Sequence, residues 1–441
     1  MEKKYYILGG ILAVLLIIAG ILFFSAGSKP TPNNSGGSNS GQTQLTWWKT
    51  FEDTQNVQDL ISDYQTAHQN VSITFVKKNV QTYEQELVDA LASGQGPDIF
   101  SIHNDWLPKH ADKIGPMPSA MMSIRTYNNN FVDVASSDFI KDGKVYAVPL
   151  SVDVLALYYN KDLLNSAGIS TPPTTWPELV SDIQKLTKTS SGGFTRSGIA
   201  MGTSTNVNRA VDILSLLMLQ NGTQFYSQDQ QAATFNQSIT DPKSTSGSFN
   251  PGSTALAFYT QFANPAKTSY TWNSQSDFSL DAFTQGKVAM MINYSYMEPM
   301  IRARAPNLNW AVAAIPQVSE DAIRINFANY WGETVSKSSK QQAAAWDFLN
   351  FITQKAELTK YYAKHKLVSS RKDMLPDQYA DTEIGVFAES APNARSIYKH
   401  DANVFEGVFT KMIDDVVLRS FPPDTAISNA VQQINLNLRQ P

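Results

Sequence analysis

Three stretches of the chain set aromatic rings beside carboxylates, amides or amines, and a fourth sets two rings side by side. They are Trp47-Trp48 ahead of Lys49-Thr50-Phe51-Glu52-Asp53, His103-Asn104-Asp105-Trp106, Asn293-Tyr294-Ser295-Tyr296, and Tyr330-Trp331-Gly332. Such sets suit binding without reaction: sugar C–H faces pack on aromatic rings, while Asp, Glu, Asn and Lys pair with hydroxyls. Signals for covalent or phosphate chemistry are missing from the sequence. It contains no GxSxG, HExxH, Walker A or GxGxxG motif, and Gly94-Gln95-Gly96 lacks the third glycine. No cysteine and only 5 histidines exclude disulfides, a Cys nucleophile, thiolate metal sites and a multi-histidine metal centre. No cofactor or metal is expected. A glycoside-cleaving carboxylate pair stays open, because 39 Asp and Glu always supply some pair.

Other conspicuous residues read as scaffold. Trp176 and Trp346 lie in helical patterns and Trp310 before an apolar strand, so all three are assigned to packing. His103 reads as a loop hydrogen-bonder, Asp98 as a turn or cap residue, and Lys161-Asp162 as a helix cap.

The elements that must position these residues alternate in type. Val71, Ile73 and Phe75 alternate as in a strand, and DIFSI, VYAVPL, VAMMINY and WAVAAIP also read as strands. Val57, Leu60, Ile61 and Tyr64 share one helical face, as do Tyr83, Leu87 and Leu91. Thr175-Trp176-Pro177-Glu178 is a capping box that opens a helix with Leu179, Ile183 and Leu186 inward. Ala345, Phe348, Leu349 and Ile352 form another helical face. Strands alternating with helices predict an α/β fold with largely parallel pairing, and ligands of such sheets bind outside the carboxyl ends of the strands. Residues 221–254 are poor in apolar side chains and read as a long surface excursion.

The chain has 441 residues, a length for two or three domains. Tyr5–Phe24 holds 20 residues without a charge and follows Lys3-Lys4. At about 1.5 Å per residue it matches the hydrocarbon thickness, and the basic flank keeps the N-terminus cytoplasmic. It reads as an uncleaved transmembrane anchor, with a cleaved signal peptide as the competing reading; both place the body outside the cytoplasm. Residues 25–43, rich in Ser, Gly, Asn and Pro, form a flexible linker. Residues 1–44 carry three basic side chains and one acidic, a sum of +2, so with a net charge of −4 for the chain the body carries −6. That argues against nucleic acid as a partner.

Taken together, four segments resemble the extracellular solute-binding protein family 1, the maltose-binding-protein-like group that serves ABC importers. They are Gly94-Gln95-Gly96-Pro97-Asp98-Ile99-Phe100; Asp142–Leu150 with Leu157–Leu164 and Thr175–Leu179; Ala282–Met291 leading to Ala314-Ile315-Pro316; and Ser338–Phe351. They occur in family order across roughly residues 45–440. The resemblance implies two α/β lobes of the periplasmic-binding-protein type II, joined by hinge strands around a cleft. The first lobe would be 44–150 plus 322–370, and the second 151–321 plus 371–441. By resemblance the ligand contacts are Glu52, Asp105, Asp153 and the stacking Tyr296, with Tyr330 and Trp331 beside the interlobe region. Trp48, at the end of the first strand, completes the expected set, and Trp272, in a segment that diverges from the family, is carried as a further candidate.

The implied function is a membrane-tethered, monomeric receptor that is not an enzyme. It would carry a solute, a sugar or oligosaccharide first, to an ABC transporter permease, and close by hinge motion. A sensory or adhesion module and a carbohydrate-active enzyme are the alternatives. The chain departs from many relatives in lacking a lipidated Cys, whose place a transmembrane helix could take. It departs again in the 221–254 segment.

Overall fold

A computed structural model describes residues 42–240 and 247–439. The apolar run Tyr5–Phe24 and the linker 25–41 lie outside these residues, and among the described residues no helix is long and apolar enough to cross a membrane.

Two sheets organise the body. Their strands in chain order are β1 (Thr43–Lys49), β2 (Val71–Lys77), β3 (Ile99–His103), β4 (Ile114–Gly115), β5 (Val148–Pro149), β6 (Ala156–Asn160), β7 (Lys188–Ser190), β8 (Gly193–Ile199), β9 (Val288–Asn293), β10 (Trp310–Ala313) and β11 (Trp331–Ser336). The first sheet runs β2-β1-β3-β11-β4 with β5 on β11, and the second β10-β6-β9-β8-β7. Pairing is parallel for β1 with β2 and β3, and for β8 with β9. It is antiparallel where β11 meets β3, β4 and β5, and where β6 meets β9 and β10. The expected largely parallel pairing is therefore corrected to mixed sheets. Each sheet accepts a strand from a chain that is returning from the other, and such a strand enters in the reverse direction.

Local signals act as written. The face Val57, Leu60, Ile61, Tyr64 is buried on helix Thr54–Ala67. Thr175 and Glu178 complete their capping box at the start of helix Trp176–Leu186. At the preceding helix, Lys161–Ser166, the cap is Asn160 rather than Lys161-Asp162: its Oδ1 accepts from the Leu163 N–H at 3.0 Å. Asp98 ties two edges together, accepting from Thr46 N–H at 3.0 Å and Ser339 O–H at 2.5 Å. Trp176, Trp272 and Trp346 are buried, so Trp272 is withdrawn as a ligand candidate; its indole N–H donates to Asn206 Oδ1 at 3.3 Å. Trp310 is half-buried, stacked on Tyr158 at 5.7 Å with Arg302 over its ring.

The 221–254 segment is only partly a surface excursion. Phe225 and Phe235 are buried against Phe409, and Pro251 opens helix Pro251–Thr260. Residues 241–246 of it lie outside the described residues.

Three segments cross side by side between the sheets. Val152 N–H donates to Val368 O at 3.1 Å, Leu155 N–H to Phe327 O at 3.3 Å, and Asn329 N–H to Asp153 O at 3.0 Å. Gln42–Pro441 form one compact unit.

Candidate functional site

A cavity of about 400 Å³ opens beside the crossing segments, between the two sheets. Its first wall is built from the carboxyl ends of β1 and β3. Trp47 and Lys49 share one face of β1, and the register of β11 sets Glu333 opposite Ser101 of β3. Glu333 thereby collects the Lys49 ammonium at 2.5 Å, the Trp47 indole N–H at 2.7 Å and the Ser101 hydroxyl at 2.9 Å. Glu52 Oε1 accepts from Tyr361 O–H at 2.9 Å and lies 3.2 Å from Lys49 Nζ. Burial alone would lower the Lys49 pKa, but the Glu333 and Glu52 carboxylates more than reverse it and keep the amine charged.

Phe51 stands 60% exposed in the cavity with its ring edge-to-face on Trp331 at 5.7 Å. Trp331 is held from behind by Trp106 at 5.2 Å and His103 at 5.3 Å. Tyr330 lines the cavity too, but it is buried, and its hydroxyl donates to Asp138 at 2.7 Å.

The second wall is the turn after β9. Tyr296 caps helix Met297–Arg304 and is 42% exposed. Tyr294, fully buried, stacks beneath it at 5.9 Å. Asp153, from a crossing segment, holds the turn. Its carboxylate accepts from Ser295 N–H at 3.0 Å, Ser295 O–H at 2.9 Å, Tyr296 N–H at 3.4 Å and Val154 N–H at 2.9 Å. Burial pushes the Asp153 carboxyl up to about 6, while these donors favour its charged form. Asp153 lines the cavity, but its hydrogen-bonding capacity is largely committed to the turn.

Arg209 reaches the same wall from the start of helix Ala210–Gln220. Its Nε–H donates to the Tyr296 hydroxyl at 2.7 Å, and its guanidinium lies 5.4 Å from the Tyr296 ring centre and 5.5 Å from that of Tyr294.

Of the residues expected from sequence, Glu52, Asp153, Tyr296, Tyr330 and Trp331 line this one cavity, whereas Trp48 and Asp105 do not. Trp48 follows Trp47 on β1, so the pleat turns it to the opposite face, where Lys78 Nζ sits 4.1 Å over its ring. Asp105 is buried in ion pairs with His103 Nδ1 at 2.6 Å and Lys399 Nζ at 2.9 Å. Burial would raise its pKa, but these two cations hold it well below the usual carboxylate range. Burial likewise opposes charge on His103, and Asp105 reverses that, so the His103 pKa is raised. The sequence reading passed over Phe51 and Arg209 as site residues. Phe51 lies in the Trp47–Asp53 stretch, whose aromatic and charged pattern is its signal; Arg209 has no local motif. Among the described residues no group of three or more His, Asp or Glu is placed to hold a metal ion. The cavity offers two aromatic faces, a charged network and hydroxyl donors, which is an arrangement for holding a polar molecule with apolar faces.

The sequence family described as bacterial extracellular solute-binding protein matches residues 48–358. A Brucella abortus (strain 2308) chain named only as a binding protein is 26% identical over 373 residues, covering 81% of this chain and 83% of that one. The galactooligosaccharide-binding protein of Bacillus subtilis (strain 168) is 21% identical over 403 residues, covering 86% and 87%. The structure of the sugar-binding protein MalE from Xanthomonas citri superposes with a TM-score of 0.74 at 20% identity, covering 90% of this chain and 97% of that one. The two sheets and their crossing segments are thus the two lobes of a periplasmic-binding-protein-like fold. This family binds solutes and does not comprise enzymes, and the chain belongs to it: it is a bacterial extracellular solute-binding protein.

Proposed function

We propose that this protein is the receptor of an ABC importer and that its solute is a sugar or oligosaccharide. The observation that carries this reading is the pair of exposed rings, Phe51 and Tyr296, on opposite walls of one cavity that also holds Trp331. Stacked rings take the C–H faces of a pyranose, and the Glu52–Lys49–Tyr361 network takes hydroxyls. The Bacillus subtilis relative, a galactooligosaccharide-binding protein, supports the same class. The lobes divide as 44–150 with 322–370 and 151–321 with 371–441. In support, β11 returns to the first sheet, while helices Ala402–Val417 and Pro423–Leu438 pack on helices Ala210–Gln220 and Pro251–Thr260. Solute binding favours the closed lobe arrangement, and the closed, monomeric body docks on a membrane permease. Tyr5–Phe24 tethers the body to the outer face of the cell membrane through the linker 25–43.

A thermal-shift screen of residues 42–441 against mono- and oligosaccharides, peptides and polyamines tests the reading. A ligand at about 100 Kd adds roughly 2.7 kcal/mol of stability. A sugar that stabilises the protein and is recovered unchanged supports the proposal. A hit confined to peptides or polyamines overturns the sugar class, and recovery of cleaved sugar overturns the receptor.

A further inference from the structure

Among the described residues four that are not glycine have positive φ: Asp142, Arg209, Gln230 and Ser420. Of these, Arg209 alone lines the cavity between the lobes. Its backbone stands at φ 65°, ψ 27°, the left-handed region that a long side chain adopts at a cost. Strain of this kind persists where the surroundings fix it, and it clusters at ligand sites.

The side chain shows what the strained turn delivers. The Nε–H of Arg209 donates to the Tyr296 hydroxyl, and the guanidinium spans the rings of both Tyr296 and Tyr294. Asp212, one turn into the helix that follows, lies 4.0 Å from Arg209 Nη1 and accepts the Tyr294 hydroxyl at 2.9 Å. Arg209, Tyr296, Tyr294 and Asp212 therefore close a ring of contacts of which Tyr296 is one member. At its other end, the backbone of Tyr296 is held by Asp153. A tyrosine 42% exposed in an open cavity would otherwise be free to change rotamer.

We infer that Arg209 is a positioning residue: it fixes the plane of Tyr296 before ligand arrives and so sets the affinity of the second wall. A ring already in its bound orientation loses no rotamer freedom on binding. The left-handed backbone is the conformation that brings the guanidinium to the phenol from a helix start otherwise buried in the lobe. The affinity part of the inference rests on the sugar-receptor reading; the ring-positioning part does not.

The test uses residues 42–441 labelled with 3-fluorotyrosine, with the Tyr296 line in the 19F spectrum assigned by its loss in Tyr296→Phe. Arg209→Asn removes the guanidinium and places at this backbone a residue that tolerates it. Without ligand, the Tyr296 line should move and sharpen in Arg209→Asn as the ring is released. With the sugar that stabilises the wild type, affinity should fall about tenfold, the worth of one well-placed aromatic contact, while the melting temperature stays level or rises. In a Tyr296→Ala background, Arg209→Asn should cost no further affinity.

An unchanged Tyr296 line overturns the inference. So does an undiminished affinity loss in the Tyr296→Ala background, which would make Arg209 a direct ligand contact. A melting temperature that falls in step with affinity overturns it as well, and would make Arg209 structural. If no sugar binds the wild type, the sugar reading fails, and the unliganded 19F comparison still decides the positioning claim.

Discussion

The two walls of the cavity are made in opposite ways. On the first, ionised groups are buried: Lys49 is 4% and Glu333 1% exposed, and they are locked to each other and to Trp47 and Ser101. On the second, Tyr296 stands in the open, and the charged residues Asp153 and Arg209 hold its backbone and its hydroxyl. The first wall joins sheet integrity to the site, since its polar groups sit on strands β1, β3 and β11. The second puts its contact on a turn and supports that turn from elsewhere in the lobe. Binding and stability should therefore come apart on the second wall and stay coupled on the first.

Glu333→Gln should show the coupling most strongly. Removing one partner of a buried pair costs about 3–5 kcal/mol, and the low end is expected because Glu52 remains beside Lys49. Urea unfolding should show that loss, with ligand affinity falling alongside. Tyr296→Ala should instead lose roughly 1–3 kcal/mol of binding in calorimetry with little change in melting temperature. Equal losses of stability and affinity at Tyr296 would erase the contrast between walls.

A subtler separation comes from Asp153. Its folded pKa, about 6, lies above the ordinary 3.8, so the folded state holds the proton longer than the unfolded one. The contribution is fully present below pH 4 and is lost as pH rises through about 6. Wild type should thus lose stability relative to Asp153→Asn between pH 4 and pH 6, measured by denaturant titration at each pH. A difference flat across that range would contradict the assigned burial.

Trp48→Ala should do least. Its ring is half-buried on the far face of β1 under Lys78, so about 0.5–1 kcal/mol of stability is expected to go, with affinity unchanged. A loss of affinity would return Trp48 to the site.

Much of this architecture was legible from local pattern. Strand alternation, helical faces and the Thr175–Glu178 capping box all depend on neighbours a few residues away, and they formed as written. The stretches that supplied Glu52, Asp153, Tyr296, Tyr330 and Trp331 do meet at one cavity. What stayed hidden depends on partners distant in sequence. Asp105 reads as a ligand carboxylate until Lys399, 294 positions on, is seen to occupy it. Trp48 and Trp47 are equivalent in the sequence, and the pleat separates them: β1 turns Trp47 to Glu333 and Trp48 to Lys78. Arg209 carries no motif at all, because its importance comes from a backbone angle and from a tyrosine 87 residues away. The mixed sheet order was hidden for a related reason: a returning chain leaves no mark on the composition of the strand that receives it.

The three crossing segments carry a mechanical consequence. A single strand between two bodies is a ball joint and permits twist, sway and swing alike. Three strands hydrogen-bonded edge to edge make a strip, stiff in its own plane and pliable across it. If the lobes close as proposed, that strip hangs them like a door, with one easy direction of travel. A molecule in the gap would then meet Phe51 and Tyr296 arriving along a fixed arc, so the fit between its thickness and the gap at the end of that arc would become a measurement of its size.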